Sequence, residues 1–274
     1  MALVRKYSRE LIDPANLKLK ILIAAFPGFG KTTFIADCPN VGIGVSETGH
    51  GKGLLSVAYK NVEYVEINSY DDFEAYCGGA IFQEKDTLGL DSLSDMGRSF
   101  IKEKALKIPR AKGESQKRAM GVPELDDYGT IGELTRKLTK KFIDLPKHIV
   151  VSSALRIDKP DPEQLQAETL IGPDFAGQMF LGSTAMFDIV LIGRTRSVLR
   201  DPRDAKTRYT QRYWMTEASG GYLAKNRLCI DPNVGSFLPA EMIYDLHTGS
   251  GTFNDIYNRA KDAYVKYLAE VAKV

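Results

Sequence analysis

A glycine-rich segment that follows an apolar run constrains the fold of this 274-residue chain more than any other feature. Residues 19–24 are apolar apart from one lysine and predict a buried strand. Residues 25–33 follow directly, with the sequence Ala-Phe-Pro-Gly-Phe-Gly-Lys-Thr-Thr. A strand, a glycine-rich turn and a helix-compatible segment that begins at Gly-Lys-Thr are typical of a phosphate-binding P-loop. The segment therefore predicts a nucleoside triphosphate site.

The residue types of this segment match the chemistry of phosphate binding. Glycines let successive backbone N–H groups face phosphate oxygens, and the N-terminus of the following helix adds a positive dipole. We expect Lys31 to bind the β- and γ-phosphates and the Thr32 hydroxyl to reach Mg²⁺. Ala25 stands where the first glycine of the pattern is commonest, which costs little where φ is negative. The predicted nucleotide-binding residues are Pro27, Gly28, Phe29, Gly30, Lys31, Thr32 and Thr33.

Two carboxylates at predicted strand ends are candidates for metal binding and catalysis. Asp91 ends the mostly apolar run of residues 87–91, as in a Walker B motif, and is expected to hold a Mg²⁺-bound water beside Thr32. Glu47 directly follows the predicted strand of residues 41–46. Because parallel strands end at one edge of a sheet, both carboxylates should lie near the phosphates. The alternatives are that Asp91 only forms a turn and that Glu47 caps a loop or pairs with a cation.

Short apolar strands alternate with helical patterns, which predicts an α/β fold with a mainly parallel sheet flanked by helices. The predicted parallel strands are residues 18–25, 41–46, 62–67, 87–91 and 148–155, with a helix over residues 131–145 before the last. The predicted late antiparallel strands are residues 188–198, 209–218 and 222–230, and the final helix is residues 252–273. We expect an N-terminal extension of residues 1–16, a nucleotide-binding core of residues 17–240 and a C-terminal helical segment of residues 241–274.

Composition excludes several classes of protein. The hydrophobic content of 43% and charged content of 26% are those of a soluble globular chain. No apolar run approaches the roughly 18 residues of a membrane span, and the N-terminus lacks a continuous apolar stretch of signal-peptide length. Cys38, Cys77 and Cys229 are far apart, which indicates neither a disulfide framework nor a zinc site. We expect a cytoplasmic protein without a membrane partner.

Four features together resemble the core of RecA-type recombinases. They are residues 25–33, Glu47 at a strand end, the pair Asp91-Ser92 and the later run Lys225-Asn226-Arg227. The compact length is most similar to the RecA-like P-loop ATPases that bacteriophages encode, which are linked to single-strand annealing and recombination. The resemblance covers about residues 17–240, and it implies a RecA-like ATPase core that binds ATP and Mg²⁺.

The resemblance also implies roles for individual residues. Glu47 would activate the attacking water, since the family places a glutamate at the end of this second strand. Lys225 and Arg227 would reach the γ-phosphate of a neighbouring subunit. At the end of the strand of residues 148–155, recombinases usually carry an Asn or Gln that senses the γ-phosphate. Ser153 is the candidate for a reduced version of that contact.

Recombinases bind DNA through two loops, and the first corresponding segment of this chain is basic. Its cations, opposed only by Glu103 and Glu114, are Lys102, Lys104, Lys107, Arg110, Lys112, Lys117 and Arg118. Gly113, Ser115 and Gly121 predict a mobile segment that follows the phosphates of single-stranded DNA. A solvated surface is the alternative. The resemblance further implies self-association into a ring or filament, a single-strand DNA-binding protein as a partner, and a phage protein in the cytoplasm of a bacterial host.

Two other classes of function remain open at the level of sequence. A small-molecule or nucleotide kinase would share the P-loop and Asp91, and such kinases generally close an arginine-rich lid over their site. The arginines that resemble a lid are Arg194, Arg196, Arg200, Arg203, Arg208 and Arg212, although their strand-and-turn setting argues against a helical lid. A nucleotide-gated interaction module similar to a helicase loader is the other class, and Glu47 argues against it.

Overall fold

The computed structural model describes residues 16–46, 52–108, 122–159, 169–175, 179–201, 203–228 and 236–271. Its strands are β1 (Lys20–Ala24), β2 (Val41–Val45), β3 (Glu63–Glu66), β4 (Thr87–Asp91), β5 (His148–Ser153), β6 (Leu155–Asp158), β7 (Leu170–Pro173), β8 (Ile189–Leu199), β9 (Arg208–Met215), β10 (Lys225–Asn226) and β11 (Glu241–Ile243). Its helices are α1 (Lys31–Ala36), α2 (Tyr70–Cys77), α3 (Leu93–Arg98), α4 (Phe100–Lys107), α5 (Leu125–Ile143), α6 (Met179–Met186) and α7 (Phe253–Val271). Short 3₁₀ helices cover Lys52–Lys60 and Ala205–Thr207.

One mainly parallel sheet organises the described part of the chain. Its order is β11-β9-β8-β1-β5-β4-β2-β3, and β10 pairs with the start of β8. The strands from β3 to β8 along this order run parallel, whereas β9 is antiparallel to both β8 and β11. The carboxyl ends of β1, β2, β4 and β5 therefore meet at one edge. The predicted α/β fold is confirmed.

Helices cover both faces of this sheet. On one face, α1 and α7 bury Phe34 and Phe253 against the sheet. On the other face, α2 and α5 bury Phe73 and Phe142. Successive β1 side chains enter the two cores alternately, as expected of a strand covered on both sides. None of the helices in the described ranges combines the length and apolarity of a membrane span.

The late strands agree only in part with the sequence prediction. β8 and β9 overlap the strands that the sequence predicts over residues 188–198 and 209–218. For residues 222–230 the prediction of a continuous strand is wrong over the described part, because only Lys225–Asn226 pair with β8. The preceding backbone pairs with β7 instead: the Leu223 N–H donates to Ile171 O at 2.8 Å, and the Ile171 N–H donates to Gly221 O at 2.9 Å.

The residues after 240 belong to the same core as the rest of the sheet. β11 extends the sheet beyond β9, with Met242 paired to Trp214. Ile256 and Ala260 of α7 are fully buried in the cluster that includes α1. The helix predicted over residues 252–273 is observed as α7, but the predicted boundary at residue 240 falls next to a sheet strand. Of the predicted N-terminal extension, residues 1–15 lie outside the described residues.

Glycines in the central strands let the helices approach the sheet closely. A Cβ at Gly89 of β4 would overlap Cγ2 of Ile35, so α1 lies directly on the strand that ends in Asp91. On the other face, a Cβ at Gly44 would lie 2.9 Å from the Tyr76 ring. The Tyr76 hydroxyl accepts the Gly44 N–H at 3.1 Å and lies 2.5 Å from Gly89 O, so it ties β2 to β4.

His148 at the start of β5 should make the protein less stable in mild acid. Its Nδ1 accepts the Leu19 N–H at 3.1 Å, and burial, then repulsion from Lys18 and Lys20, lowers its pKa from 6.5 to about 4. Between these pH values the unfolded chain binds a proton that the folded protein does not, so the free energy of unfolding falls as the pH falls through this window. His148→Asn keeps an acceptor oxygen without titrating.

Urea unfolding at about pH 7 and 5 measures this effect. We expect the stability of the wild type to fall more steeply than that of His148→Asn over this interval. An equal fall in both proteins would show that His148 does not control acid stability.

Candidate nucleotide site

The P-loop occupies the turn between β1 and α1. Gly28 has a φ of 78° and Gly30 a φ of 108°, which is backbone geometry that side chains disfavour. Gly30 is also the N-cap of α1, whose first residue is Lys31. The Phe29 N–H of this turn donates to Phe26 O at 3.3 Å, and the N-terminus of α1 offers backbone N–H groups to an anion at this point.

An aromatic cluster under the turn supports the P-loop. The Phe29 ring centroid lies 4.5 Å from that of Trp214 and 5.6 Å from that of Tyr244. The Tyr244 hydroxyl donates to Gly30 O at 3.2 Å, and burial raises the pKa of this hydroxyl. Phe29 is only 4% exposed, so its ring anchors the turn, and its contact with a nucleotide stays a prediction.

Ala25 fits its position because a glycine lies beneath it. Ala25 is fully buried. A Cβ at Gly193 of β8 would lie 2.7 Å from the Ala25 Cβ and 2.9 Å from the Phe29 ring. The methyl group that replaces the usual first glycine of the motif is thus accommodated by the absence of a side chain on the neighbouring strand.

Lys31 spans the P-loop from the first turn of α1. Its Nζ donates to Ala25 O at 2.9 Å and lies 3.4 Å from Phe26 O. This places the ammonium group at the start of the turn, beside the predicted phosphate position. The geometry agrees with the predicted phosphate contact, which stays a prediction.

The predicted metal ligands are in direct contact. Thr32 Oγ1 donates to Asp91 Oδ2 at 2.6 Å, and the hydroxyl of Ser152 donates to Asp91 Oδ1. A hydroxyl and a carboxylate are the hard oxygen donors that Mg²⁺ prefers, with water or phosphate completing the shell. The donor set therefore fits Mg²⁺ at this point, and the described residues contain no denser group of His, Cys, Asp or Glu that could hold a metal.

β5 ends in two serines, Ser152 and Ser153, and the sequence predicts only Ser153 as a candidate for the nucleotide site. Ser153 donates to Ala154 O at 2.8 Å and accepts the Asp174 N–H at 3.0 Å. Its hydroxyl is thus engaged by backbone groups, whereas Ser152 contacts Asp91. The structure gives Ser152, rather than Ser153, the side-chain contact to the candidate metal site. The sequence alone could not separate them, because the register of β5 decides which serine faces Asp91.

Glu47 lies outside the described residues, and its catalytic role stays a prediction. Val45 at the end of β2 is the register partner of Asp91. The next residue, Ser46, accepts the Ser92 N–H at 3.2 Å. The chain therefore leaves β2 beside the end of β4, which is the edge where the prediction requires Glu47.

The predicted intersubunit cations contact a helix of their own chain. Lys225 Nζ donates to Thr184 O at 2.7 Å and to Phe187 O at 2.9 Å. Arg227 donates to Ala185 O at 2.6 Å. Lys225 pairs in register with Val190 at the start of β8, away from the sheet edge that carries the P-loop. Both side chains thus hold the carboxyl end of α6, and their role in a neighbouring site stays a prediction.

The predicted DNA-binding run begins on a helix. Lys102, Lys104 and Lys107 lie on α4, whereas the glycines on which the expected mobility rests lie outside the described residues. Lys104 Nζ lies 5.0 Å from the ring centroid of Tyr70. Lys102 instead lines a cavity of about 370 Å³ together with residues that include Arg98 and Arg156. The other predicted cations, Arg110, Lys112, Lys117 and Arg118, lie outside the described residues.

Arg212 is a cation near the P-loop that the sequence did not assign to the nucleotide. One of its guanidinium nitrogens lies 3.7 Å from the position of a Cβ at Gly30. It also lines, with Phe26 and Thr195, a cavity of about 230 Å³ beside the turn. The register pairs Arg212 with Thr195, two residues beyond Gly193 on the same face of β8. Only the strand register brings Arg212 here, so no local sequence signal identifies it.

The fold and the site together define a class of protein. A parallel sheet in which β1 leads into a P-loop and β4 ends in an acid that contacts the P-loop threonine is the fold of a P-loop nucleotide-binding ATPase. The profile of the AAA domain family matches residues 17–228. The match covers most of the sequence, so the chain belongs to this family.

Further comparisons concern individual proteins. No match was found among curated proteins. Among solved structures, a KaiC-like protein from the hyperthermophilic archaeon Pyrococcus horikoshii is similar, with 12% sequence identity and a TM-score of 0.43. That similarity covers 83% of this chain and 86% of the archaeal chain.

Proposed function

We propose that the protein hydrolyses ATP and acts on single-stranded DNA in recombination or strand annealing. The observation that supports hydrolysis most directly is the 2.6 Å hydrogen bond between Thr32 and Asp91. It brings together two Mg²⁺-type ligands next to the phosphate-binding turn. The proposed action on single-stranded DNA rests on the resemblance to recombinases and on the basic run of residues 102–118.

Each residue of the site has a part in the proposed hydrolysis. Thr32 and Asp91 would hold Mg²⁺, whose positive charge would offset the negative charge of the phosphates. Lys31 would exchange the carbonyl of Ala25 for phosphate oxygens, because a phosphate offers its ammonium group a stronger, charge-assisted hydrogen bond. Glu47 would take the proton of the attacking water. Ser152 would hold the orientation of the Asp91 carboxylate through its hydrogen bond.

We also propose that a neighbouring subunit completes the site in a ring or filament. Lys225 and Arg227 would place two positive charges near the charge that develops on the γ-phosphate. In the single chain these cations donate to carbonyl groups at the end of α6. Assembly would exchange those contacts for phosphate contacts. A single-strand DNA-binding protein remains a partner proposed from the resemblance.

The kinase alternative gains no support from the position of the arginines. Arg194 and Arg196 lie on β8, and Arg208 and Arg212 lie on β9, so they belong to a β-hairpin rather than to a helical lid. We therefore retain the proposal of a DNA-directed ATPase.

The proposed DNA contact predicts a change in salt dependence. Replacing Lys112, Lys117 and Arg118 together with alanine should reduce the slope of log affinity against log salt by about 2, because each single-strand phosphate contact contributes about 0.7. Binding should weaken equally for different base sequences, since phosphates carry no sequence information. Fluorescence anisotropy of labelled oligonucleotides over a salt series measures both quantities.

The matched control replaces three exposed lysines on α5, Lys137, Lys140 and Lys141, with alanine. This control removes the same charge from a surface without an assigned ligand, and it should leave the affinity and the slope near the wild-type values. If the first variant also keeps the wild-type affinity and slope, the basic run is a solvated surface and does not bind DNA.

A further inference from the structure

The hairpin of β8 and β9 projects from the sheet at the carboxyl edge. The last register pair between β1 and β8 joins Ala24 to Ile192, but β8 continues to Leu199, paired there only with β9. At about 3.3 Å per residue, this extension reaches roughly 20 Å beyond the end of β1. We call the extension, residues 193–212, the arm. It stands beside the P-loop, which contacts its base at Gly193.

The arm concentrates positive charge. Residues 194–212 contain six arginines and one lysine against two aspartates, a net charge of +5, while the whole chain carries +2. The rest of the chain is therefore net negative by three charges. The side chains of the two aspartates stabilise the turn at the tip: Asp201 accepts the Arg203 N–H and Asp204 accepts the Lys206 N–H, both at 2.9 Å. The small net charge of the chain thus conceals a strongly basic projection.

Three arginines of the arm lie over tyrosine rings. The guanidinium carbons of Arg194, Arg196 and Arg200 are 4.8, 4.7 and 5.5 Å from the ring centroids of Tyr222, Tyr213 and Tyr209, respectively. Stacking on an aromatic ring fixes the orientation of the planar guanidinium group. Its N–H groups at the edge then remain able to bind a second group.

The tip of the arm is the part with unmatched charge. Arg196 pairs with Glu241 at 2.8 Å near the base of the arm. Arg200, Arg203 and Arg208 are exposed, and they have no carboxylate partner among the described residues. Tyr209, beside them, is 37% exposed. Guanidinium groups suit bidentate contacts to phosphate, and an exposed aromatic ring next to cations suits a stacked base.

We propose that this arm binds single-stranded nucleic acid, through phosphate contacts of Arg200, Arg203 and Arg208 and base stacking on Tyr209. It is a second interface, formed by a segment of the sequence other than the basic run of residues 102–118. The choice of single-stranded DNA among polyanions rests on the proposed function. DNA bound at the tip of the arm would lie roughly 20 Å beyond the end of β1, on the same edge of the sheet as the nucleotide site.

The test replaces Arg200, Arg203 and Arg208 together with alanine in the full-length protein and measures binding of a labelled oligothymidylate by anisotropy. We expect at least about a tenfold loss of affinity at low salt and a slope lower by about 2. ATP turnover without DNA should stay at the wild-type rate. The control variant is again Lys137, Lys140 and Lys141 to alanine, with binding unchanged.

Three outcomes would overturn the inference. The first is a wild-type affinity and slope in the arm variant. The second is an equal loss of affinity for a labelled duplex of the same length, which would make the arm a general DNA contact. The third is a wild-type protein that binds no oligothymidylate, which would remove the proposed DNA function as well. In the first two outcomes the wild type still binds single strands, so the failure concerns the arm alone.

A second variant keeps the test valid if the alanine variant does not fold. This variant replaces Arg200, Arg203 and Arg208 with lysine. It preserves the positive charge but removes the planar guanidinium groups that make bidentate contacts. We expect a salt slope near that of the wild type with reduced affinity, because point charges still release counterions but lose bidentate contacts. Unchanged affinity in this folded variant would contradict a specific role of the arginines.

Discussion

Lys31→Ala should lose tight binding of Mg²⁺-ATP, with a dissociation constant raised by about 10- to 100-fold. The Lys31 Nζ lies 2.9 Å from Ala25 O at the start of the phosphate-binding turn. A hydrogen bond to a charged group contributes about 1.5–3 kcal/mol, which corresponds to this change in affinity. Since the phosphates already carry their charge in the ground state, the loss should appear in binding itself. Titration with a fluorescent ATP analogue measures it.

Lys60→Ala is the matched control for this experiment. Lys60 pairs with Asp37 at 2.5 Å, at the carboxyl end of α1 and therefore at the opposite end of the helix from the P-loop. This variant removes a partly buried lysine from the same structural unit, so its nucleotide affinity should match the wild type. If Lys31→Ala, correctly folded, also binds Mg²⁺-ATP like the wild type, Lys31 does not contact the phosphates.

Glu47→Gln should retain ATP binding and lose turnover by about 10²- to 10⁴-fold, the usual effect of removing a general base. Glutamine preserves the size and most hydrogen-bonding ability of the side chain but cannot take a proton from water. The contact of Ser46 with Ser92 places the end of β2 beside the end of β4, where the attacking water would lie. The dissociation constant and the rate of phosphate release, measured on one preparation, separate the two effects.

Glu66→Gln is the control for the general base. Glu66 ends β3 and is the register partner of Val45, so it lies at the same edge of the sheet one strand further out. Its replacement should leave turnover near the wild-type rate. Near-normal turnover in Glu47→Gln would overturn the assignment and indicate that a carboxylate close to Asp91 is the base.

The parts of the site that are contiguous in sequence could be predicted. The P-loop is a local motif, and the strands before it and before Ser92 are apolar runs: the prediction for residues 87–91 matches β4, and that for residues 18–25 contains β1 at Lys20–Ala24. Their meeting at one sheet edge follows from the parallel arrangement that alternating strands and helices impose. The pairing of Thr32 with Asp91, which are 59 residues apart, follows from the same reasoning.

Features that depend on register or on distant partners could not be predicted. Tyr244 supports Gly30 from 214 residues away, and no local pattern marks this contact. The choice of Ser152 over Ser153 depends on which face of β5 looks toward Asp91. Residues 221–223 pair with β7 and not with the main sheet. Either strand could satisfy the backbone hydrogen bonds of this segment, so the sequence alone does not show which one it pairs with.

Release of inorganic phosphate from Mg²⁺-ATP, with and without single-stranded DNA and with small phosphate acceptors, tests the central claim most directly. We predict that the wild type releases free phosphate, that single-stranded DNA accelerates the release, and that Lys31→Ala strongly reduces it at an ATP concentration near the wild-type dissociation constant. Transfer of phosphate to a small acceptor without free phosphate would show a kinase. No turnover of ATP under any of these conditions would contradict the proposal that the protein is an ATPase.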